Sequence, residues 1–141
     1  MAAGANLTVL YVEDEENDAL LMEMAFKSQG LQGGYRTVNN GQMAIDYLSG
    51  VGTFSQRDRY PFPALVLLDL NLPEVHGFEV LKWIRAHSDF RELPVVVFSS
   101  SLREDDKTKA QELRADDFIS KPNSPALLRN IVRGLKERWG L

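Results

Sequence analysis

The chain contains no cysteine, so it can form no disulfide and offers no thiolate to a metal. Histidine is nearly as scarce. His76 and His87 have no partner at a ligand spacing, and both are expected to be surface residues without a metal or catalytic role. No glycine-rich phosphate loop of the common nucleotide-binding types occurs. No apolar run is long enough to cross a bilayer, and residues 1–6 lack the basic start and hydrophobic centre of a signal peptide. The expected location is therefore cytoplasmic, with no membrane partner. Positive charge is not in excess either: 16 Lys and Arg against 20 Asp and Glu leave a net charge of -4, which argues against a nucleic-acid partner. Arg129, Arg133, Lys136 and Arg138 cluster locally and read as the solvated side of a last helix.

What is present fits one domain. The 141 residues are 44% hydrophobic and 26% charged, an ordinary globular composition, and a chain of this length buries roughly 68% of its unfolded surface. Apolar runs alternate with helical periodicity five times, the mark of an α/β fold with a parallel sheet covered on both faces. Leu20, Leu21, Met24 and Ala25 recur as one face of a first helix, with Gly30 as its stop. Tyr35 to Val38 reads as a strand, and Ala44, Ile45 and Leu48 as one side of a short helix stopped by Gly50. From Ser49 to Pro63 there is no periodicity, which predicts a long loop. A third helix begins near Gly77, buries Val80, Leu81 and Ile84, and ends before Pro94. Ser101 and Glu104 have capping-box spacing for a helix running to about Arg114. Ser124-Pro125 starts a last helix that buries Leu127, Leu128, Ile131, Val132 and Leu135. Met22, Met24 and Met43 are ordinary helix residues, and Trp83 and Trp139 are packing or interface residues.

The chemistry lies where the strand-like runs stop. Leu7 to Val12 ends at Glu13-Asp14, Ala64 to Leu68 at Asp69, and Val95 to Phe98 at Ser99, while Phe118-Ile119 leads through Ser120 to Lys121-Pro122. The carboxyl ends of parallel strands are where such sheets bind ligands. If the strands are parallel, three carboxylates, a hydroxyl and an ammonium meet on one rim. The carboxylates would repel one another unless a cation balanced them, and Mg²⁺ suits an all-oxygen site. Glu15 and Glu16 need no such role, because acids complement the start of a helix. The X-Pro step after Lys121 restricts the chain there and favours a tight turn, cis or trans.

This constellation resembles the receiver domain of bacterial two-component response regulators. The resemblance rests on Glu13-Asp14, Asp69 with Leu70-Asn71-Leu72-Pro73 and Gly77, Ser99, Ala115-Asp116-Asp117-Phe118 and Lys121-Pro122, and it covers about Leu7 to Arg138. Val12-Glu13-Asp14, Asn40-Gly41, Asp46-Tyr47-Leu48 and the long loop before Ala64 are most similar to stand-alone receivers paired with bacterial phytochrome kinases. The resemblance implies a five-stranded doubly wound sheet of flavodoxin-like (CheY-like) order 2-1-3-4-5, in one receiver domain spanning residues 1–141 with no output domain. It further implies that Asp69 accepts a phosphoryl group from a sensor histidine kinase or a histidine phosphotransfer protein. Asp14, Asp69 and the Asn71 carbonyl would bind Mg²⁺ directly and Glu13 through water, with Lys121 and Ser99 neutralising and aligning the phosphoryl group. Ser99 and Phe118 would then switch the surface seen by a downstream protein target. Such a protein is a phosphoacceptor, not an enzyme acting on a separate substrate. Glu13 stands where Asp is commoner, Ser99 where Thr is, Phe118 where Tyr is, Arg114 where Gly is usual, and Asn123 where an aromatic is usual.

Other readings compete with this one. A Mg²⁺-dependent phosphatase with an Asp69 nucleophile would place a second Asp at position 71 as proton donor, where this chain has Asn71. An interaction module that is never phosphorylated would have no use for Asp14, Asp69, Ser99 and Lys121 together. A flavin site after the first strand would set its phosphate against Glu13-Asp14-Glu15-Glu16. A homodimer anchored by Trp139 on the C-terminal face is a further expectation, and a Trp139 folded back onto its own domain is the alternative.

Overall fold

The computed structural model describes residues 8–31 and 34–141. Leu7 and the N-terminal residues read for a signal peptide lie outside the described residues. Three strands built almost wholly of Val, Leu, Tyr and Phe form the middle of a sheet: β1 (Val9–Val12), β3 (Leu65–Leu68) and β4 (Val95–Ser99), all buried along their length. The more polar β2 (Tyr35–Val38) and β5 (Asp117–Ser120) take the edges. Every pairing is parallel and the order is β2-β1-β3-β4-β5, as the resemblance implies. Five helices complete the alternation: α1 (Glu16–Ser28), α2 (Gly41–Ser49), α3 (Gly77–Ala86), α4 (Glu104–Glu112) and α5 (Pro125–Trp139). No helix among the described residues is long and apolar enough to cross a membrane.

Because side chains alternate across a strand, each central strand feeds two cores. Leu10, Val12, Val66 and Leu68 pack with Ala44, Leu48, Val80, Leu81 and Ile84 of α2 and α3 on one face. Val9, Tyr11, Leu65 and Leu67 pack with Met22, Phe26, Val132 and Leu135 of α1 and α5 on the other.

Several local expectations are corrected. The buried face of α1 is Met22, Ala25 and Phe26, whereas Leu20, Leu21 and Met24 are 56%, 43% and 59% exposed. The apolar pattern continues too far around the helix to identify its inner face by itself. For the same reason Leu127 of α5 is exposed while its neighbour Leu128 is buried. The capping box at Ser101 does not form. Helix α4 starts one residue after Arg103, and the Ser101 hydroxyl instead donates to Asp106 and accepts the Arg103 amide. The peptide bond before Pro122 is trans. Apart from these corrections, Trp139 is half-buried against the core shared by α1 and α5, as is Leu141, with the Arg138 guanidinium 4.2 Å above its ring.

The segment from Ser49 to Pro63 is fastened along its length. A short 3₁₀ turn occupies Gly52–Ser55, and Arg57 donates to the carbonyls of Tyr47 at 2.8 Å and Leu48 at 2.9 Å in the last turn of α2. The same guanidinium reaches the Tyr60 carbonyl, and the Tyr47 hydroxyl donates to the Pro61 carbonyl at 2.7 Å.

A second arginine fastens the amino-terminal edge of the sheet. Arg85 is buried on α3 and donates to the carbonyls of Arg91, Leu93 and Arg114 and to Asp116 Oδ1. Asp116 also accepts the Val95 amide at 2.9 Å, so one ion pair joins α3 to the starts of β4 and β5. Arg114 itself sits at φ 66°, the left-handed region that disfavours a Cβ. This explains why glycine is usual there. Arg114→Gly is expected to stabilise the fold by about 1 kcal/mol and raise the melting temperature by roughly 3 °C, since the backbone carbonyl that serves Arg85 is retained. A thermal melt that is unchanged or lower contradicts the strain argument.

Candidate functional site

The site residues are held by backbone hydrogen bonds that continue the parallel ladder just past the strands. The Asp69 amide donates to Val12 O at 3.1 Å, the Glu13 amide to Val38 O at 3.0 Å and the Lys121 amide to Ser99 O at 2.9 Å. The carboxyl ends of β1, β3 and β5 thus fix three charged residues before any side chain makes a contact. Gly77 sets the distance between this rim and α3. A Cβ at that position would run into the Asp69 carbonyl oxygen and lie 2.7 Å from Leu70 Cα, so only glycine lets the helix start there without moving Asp69.

Asp69 is 4% exposed. One of its oxygens accepts the Leu70 amide at 2.8 Å, and the other faces Lys121 Nζ at 3.2 Å. Carboxylate oxygens of Glu13, Asp14 and Asp69 lie within 4.8 Å of one another, Asp14 being the exposed member. Three hard anionic donors so close, open to solvent on one side, fit a divalent cation of the Mg²⁺ or Mn²⁺ kind. Ser99 ends β4 fully buried, and its hydroxyl oxygen accepts the Ser101 amide at 3.2 Å, which leaves the O–H to be donated. Asn71 lies in the exposed loop two residues past Asp69. Phe118 is half-buried on β5 and packs against a cluster of Leu70, Phe78, Val97 and Ala110.

Lys121 is the centre of this arrangement, although a lone lysine is a weak signal in a sequence. Its ammonium binds Glu13 Oε1 at 2.6 Å, Asp18 Oδ2 at 2.9 Å and Asp69 Oδ2 at 3.2 Å. Burial works against the charge, but the Glu13 and Asp18 hydrogen bonds and the Asp69 charge outweigh it and hold Lys121 above the ordinary lysine range. Burial pushes the Glu13 carboxyl up; Lys121 opposes the shift and Asp69 adds to it.

Two participants were not singled out from the sequence. Tyr11, buried in β1, donates its hydroxyl to Glu13 Oε1 at 2.9 Å, and burial together with the Glu13 charge pushes its own titration well up. Residues two apart on a strand share a face, so a hydroxyl two positions before an acid was the available signal. Asp18 lies one helical turn beyond Asp14, a spacing that places it over the same rim. Glu15 is the N-cap of α1 and accepts the Asn17 amide, in keeping with the helix-start role expected for that stretch.

The chemical capacity of the site is that of a carboxylate nucleophile beside a fixed ammonium, with a place for a metal. Lys121 also offsets the repulsion among Glu13, Asp18 and Asp69, and this has a pH signature. The folded-state pKa of Lys121 lies above its unfolded value, about 10.4, so its stabilisation is complete below that pH and is lost as pH rises through the folded value. The stability gap between wild type and Lys121→Met, measured by denaturant unfolding in chelator, is expected to be flat from about pH 7 to 9.5. It should then shrink above about pH 10.4, by at most roughly 1.4 kcal/mol per pH unit. A gap that widens with alkali contradicts the assignment.

Comparison with known proteins gives a consistent set of relatives. The family model of the response regulator receiver domain matches residues 9–133. The probable methanogenesis regulatory protein FilR2 of Methanothrix harundinacea is 35% identical, over 93% of this chain and 82% of its own length. The response regulator Rcp1 of Synechocystis is 32% identical, over 93% of this chain and 87% of its own. A crystal structure of Rcp1 in an Mn²⁺-bound form has a TM-score of 0.82 at 32% identity, covering 94% of each chain. The phosphorylated cyanobacterial phytochrome response regulator RcpA matches with a TM-score of 0.84 at 34% identity, over 95% of this chain and 94% of RcpA.

Proposed function

The chain belongs to the response regulator receiver domain family, and on that premise we propose that Asp69 takes a phosphoryl group from the phosphohistidine of a sensor histidine kinase or a histidine phosphotransfer protein. The observation that carries this reading is the Asp69 carboxylate at the end of β3, with Lys121 Nζ 3.2 Å from one oxygen and the acids of Glu13 and Asp14 beside it. In the transfer, an Asp69 oxygen forms a bond to phosphorus as the bond from phosphorus to the imidazole nitrogen breaks. The electron pair leaves with the imidazole. Such a transfer requires alignment and charge neutralisation far more than proton transfer, which matches a site built of an ammonium, a hydroxyl and acids.

In this reading Asp14, Asp69 and the Asn71 carbonyl would hold a divalent ion directly, and Glu13 would act through water. When bound, the ion, Mg²⁺, supplies positive charge to the phosphoryl oxygens and aligns them. Both Glu13 oxygens already accept hydrogen bonds from Tyr11, Lys121 and the Glu15 amide, which supports an indirect role for that residue. Lys121 balances the incoming charge, and Ser99 donates its hydroxyl to the new phosphoryl group. Phe118 follows Ser99 inward from its half-buried position, and the surface of α4, β5 and α5 changes toward a downstream protein.

The partner side of the reading rests on α1. Its Leu20, Leu21 and Met24 are exposed, Leu21 lines a small pocket together with Asp18 and Lys121, and a groove between α1 and α5 is lined by Leu21, Met24, Pro125 and Arg129. An apolar strip beside the phosphoacceptor fits a kinase helix that carries the phosphohistidine. The likeness to RcpA supports a phytochrome-type kinase as the phosphoryl donor.

With acetyl phosphate and Mg²⁺, the wild-type protein is expected to gain the mass of one phosphoryl group and Asp69→Asn none, as read by intact mass. Equal labelling of the two would refute the assignment. Mg²⁺ at ten to a hundred times its Kd should also stabilise the protein by about 1–3 kcal/mol. That shift is expected to disappear in Asp14→Ala, and its persistence would remove Asp14 from the metal site.

A further inference from the structure

Asp18 belongs neither to the three-acid metal cluster nor to the residues that the family resemblance carries over, yet it makes a 2.9 Å ion pair with Lys121 Nζ. An ammonium has three N–H donors and no more. Glu13, Asp18 and Asp69 take one contact each, so a phosphoryl oxygen that approaches Lys121 must displace one of them. Glu13 is poorly placed to yield. Its side chain is fully buried, and its oxygens are also held by the Tyr11 hydroxyl and the Glu15 amide. Asp69 is the acceptor itself. Asp18, in the first turn of α1, has a side chain 39% exposed and can turn its carboxylate to water at small cost.

We propose that Asp18 is a positioning residue which holds the Lys121 ammonium in the resting site and is the partner exchanged when a phosphoryl group arrives at Asp69. This rests on the phosphoacceptor reading above and adds a control to it. The exchange makes and breaks no covalent bond: one carboxylate leaves an N–H of Lys121 and a phosphoryl oxygen takes its place. The negative charge of Asp18 then remains close to the phosphoryl group and competes for the same ammonium. Asp18 therefore slows charging of the site and shortens the life of the charged state. Releasing a partly exposed ion pair is worth a factor of about five in rate.

The test compares wild type, Asp18→Asn and Asp18→Glu, each checked by thermal melting for an intact fold. In the first arm, without metal or phosphodonor, an amine-reactive ester labels the lysines at fixed pH and peptide mass spectrometry reads Lys121. Asp18→Asn should label Lys121 about five times faster than wild type, other lysines should be unchanged, and Asp18→Glu should stay near wild type because the charge is kept. In the second arm, with acetyl phosphate and Mg²⁺, Asp18→Asn should phosphorylate and retain the phosphoryl group about fivefold better, again with rescue by Asp18→Glu. If Asp18→Asn matches wild type in Lys121 labelling, the proposal is overturned, as it is if the labelling changes but the phosphorylation and decay rates do not. If wild type takes no phosphoryl group at all, the phosphoacceptor reading and the exchange built on it both fall, while the labelling arm separately decides whether Asp18 restrains Lys121.

Discussion

The constraint on which this molecule depends is the crowding of negative charge at one end of a parallel sheet. Two unit charges 4.8 Å apart repel by roughly 3.5 kcal/mol at an effective dielectric constant of 20, and here three acids share that space with Asp18 close by. The fold tolerates this because Lys121 projects from the end of β5 into their midst, with the Tyr11 hydroxyl and two backbone amides satisfying the remaining oxygens. The crowding is also what gives the site its use. A location that strains to hold several anions binds a divalent cation readily, and the field of cation and ammonium then suits a phosphoryl group. Stability and chemistry draw on the same charges.

That arrangement needs a scaffold that does not yield to the repulsion. The ladder bonds continuing past β1, β3 and β5 supply it on the carboxyl side. On the amino side Arg85 and Asp116 fix α3 against the entries of β4 and β5. Helix α3 therefore meets the rim at one end, through Gly77, and the Arg85 clasp near the other. A change in the position of Asp69 or Leu70 bears directly on Gly77, because no Cβ fits between them. The helix thus spans from the acidic rim to the entries of β4 and β5.

The order of elements and the convergence of Glu13, Asp14, Asp69 and Lys121 were legible in the sequence, because uninterrupted apolar runs mark buried strands and polar residues mark their ends. Less legible was everything decided by rotation about a helix axis. On α1 the apolar residues cover more than one face, so Leu20 and Leu21 could not be told from Met22 and Phe26 until the helix was docked. Ser101 and Glu104 satisfied the capping pattern, but the loop gave Ser101 a nearer partner in Asp106. Asp18 was hidden among other acids at a helix start, where charge complementarity to the helix dipole accounts for any of them. Arg85 was hidden because two of its partners, Arg114 and Asp116, lie 29 and 31 residues away in the chain, which no local pattern encodes.

The clasp made by Arg57 bears on how the chain meets proteases. The stretch from Ser49 to Pro63 has the composition of an exposed cleavage site, with Arg57 and Arg59 two residues apart. A trypsin-like enzyme must draw an arginine into its specificity pocket with the flanking backbone extended. Arg57 is committed to the carbonyls of Tyr47, Leu48 and Tyr60, and the Arg59 carbonyl accepts Arg36 Nε at 2.9 Å. Cutting here must wait for the clasp to open. The rate of tryptic nicking between Ser49 and Pro63 therefore reports the opening of this clasp at the end of α2.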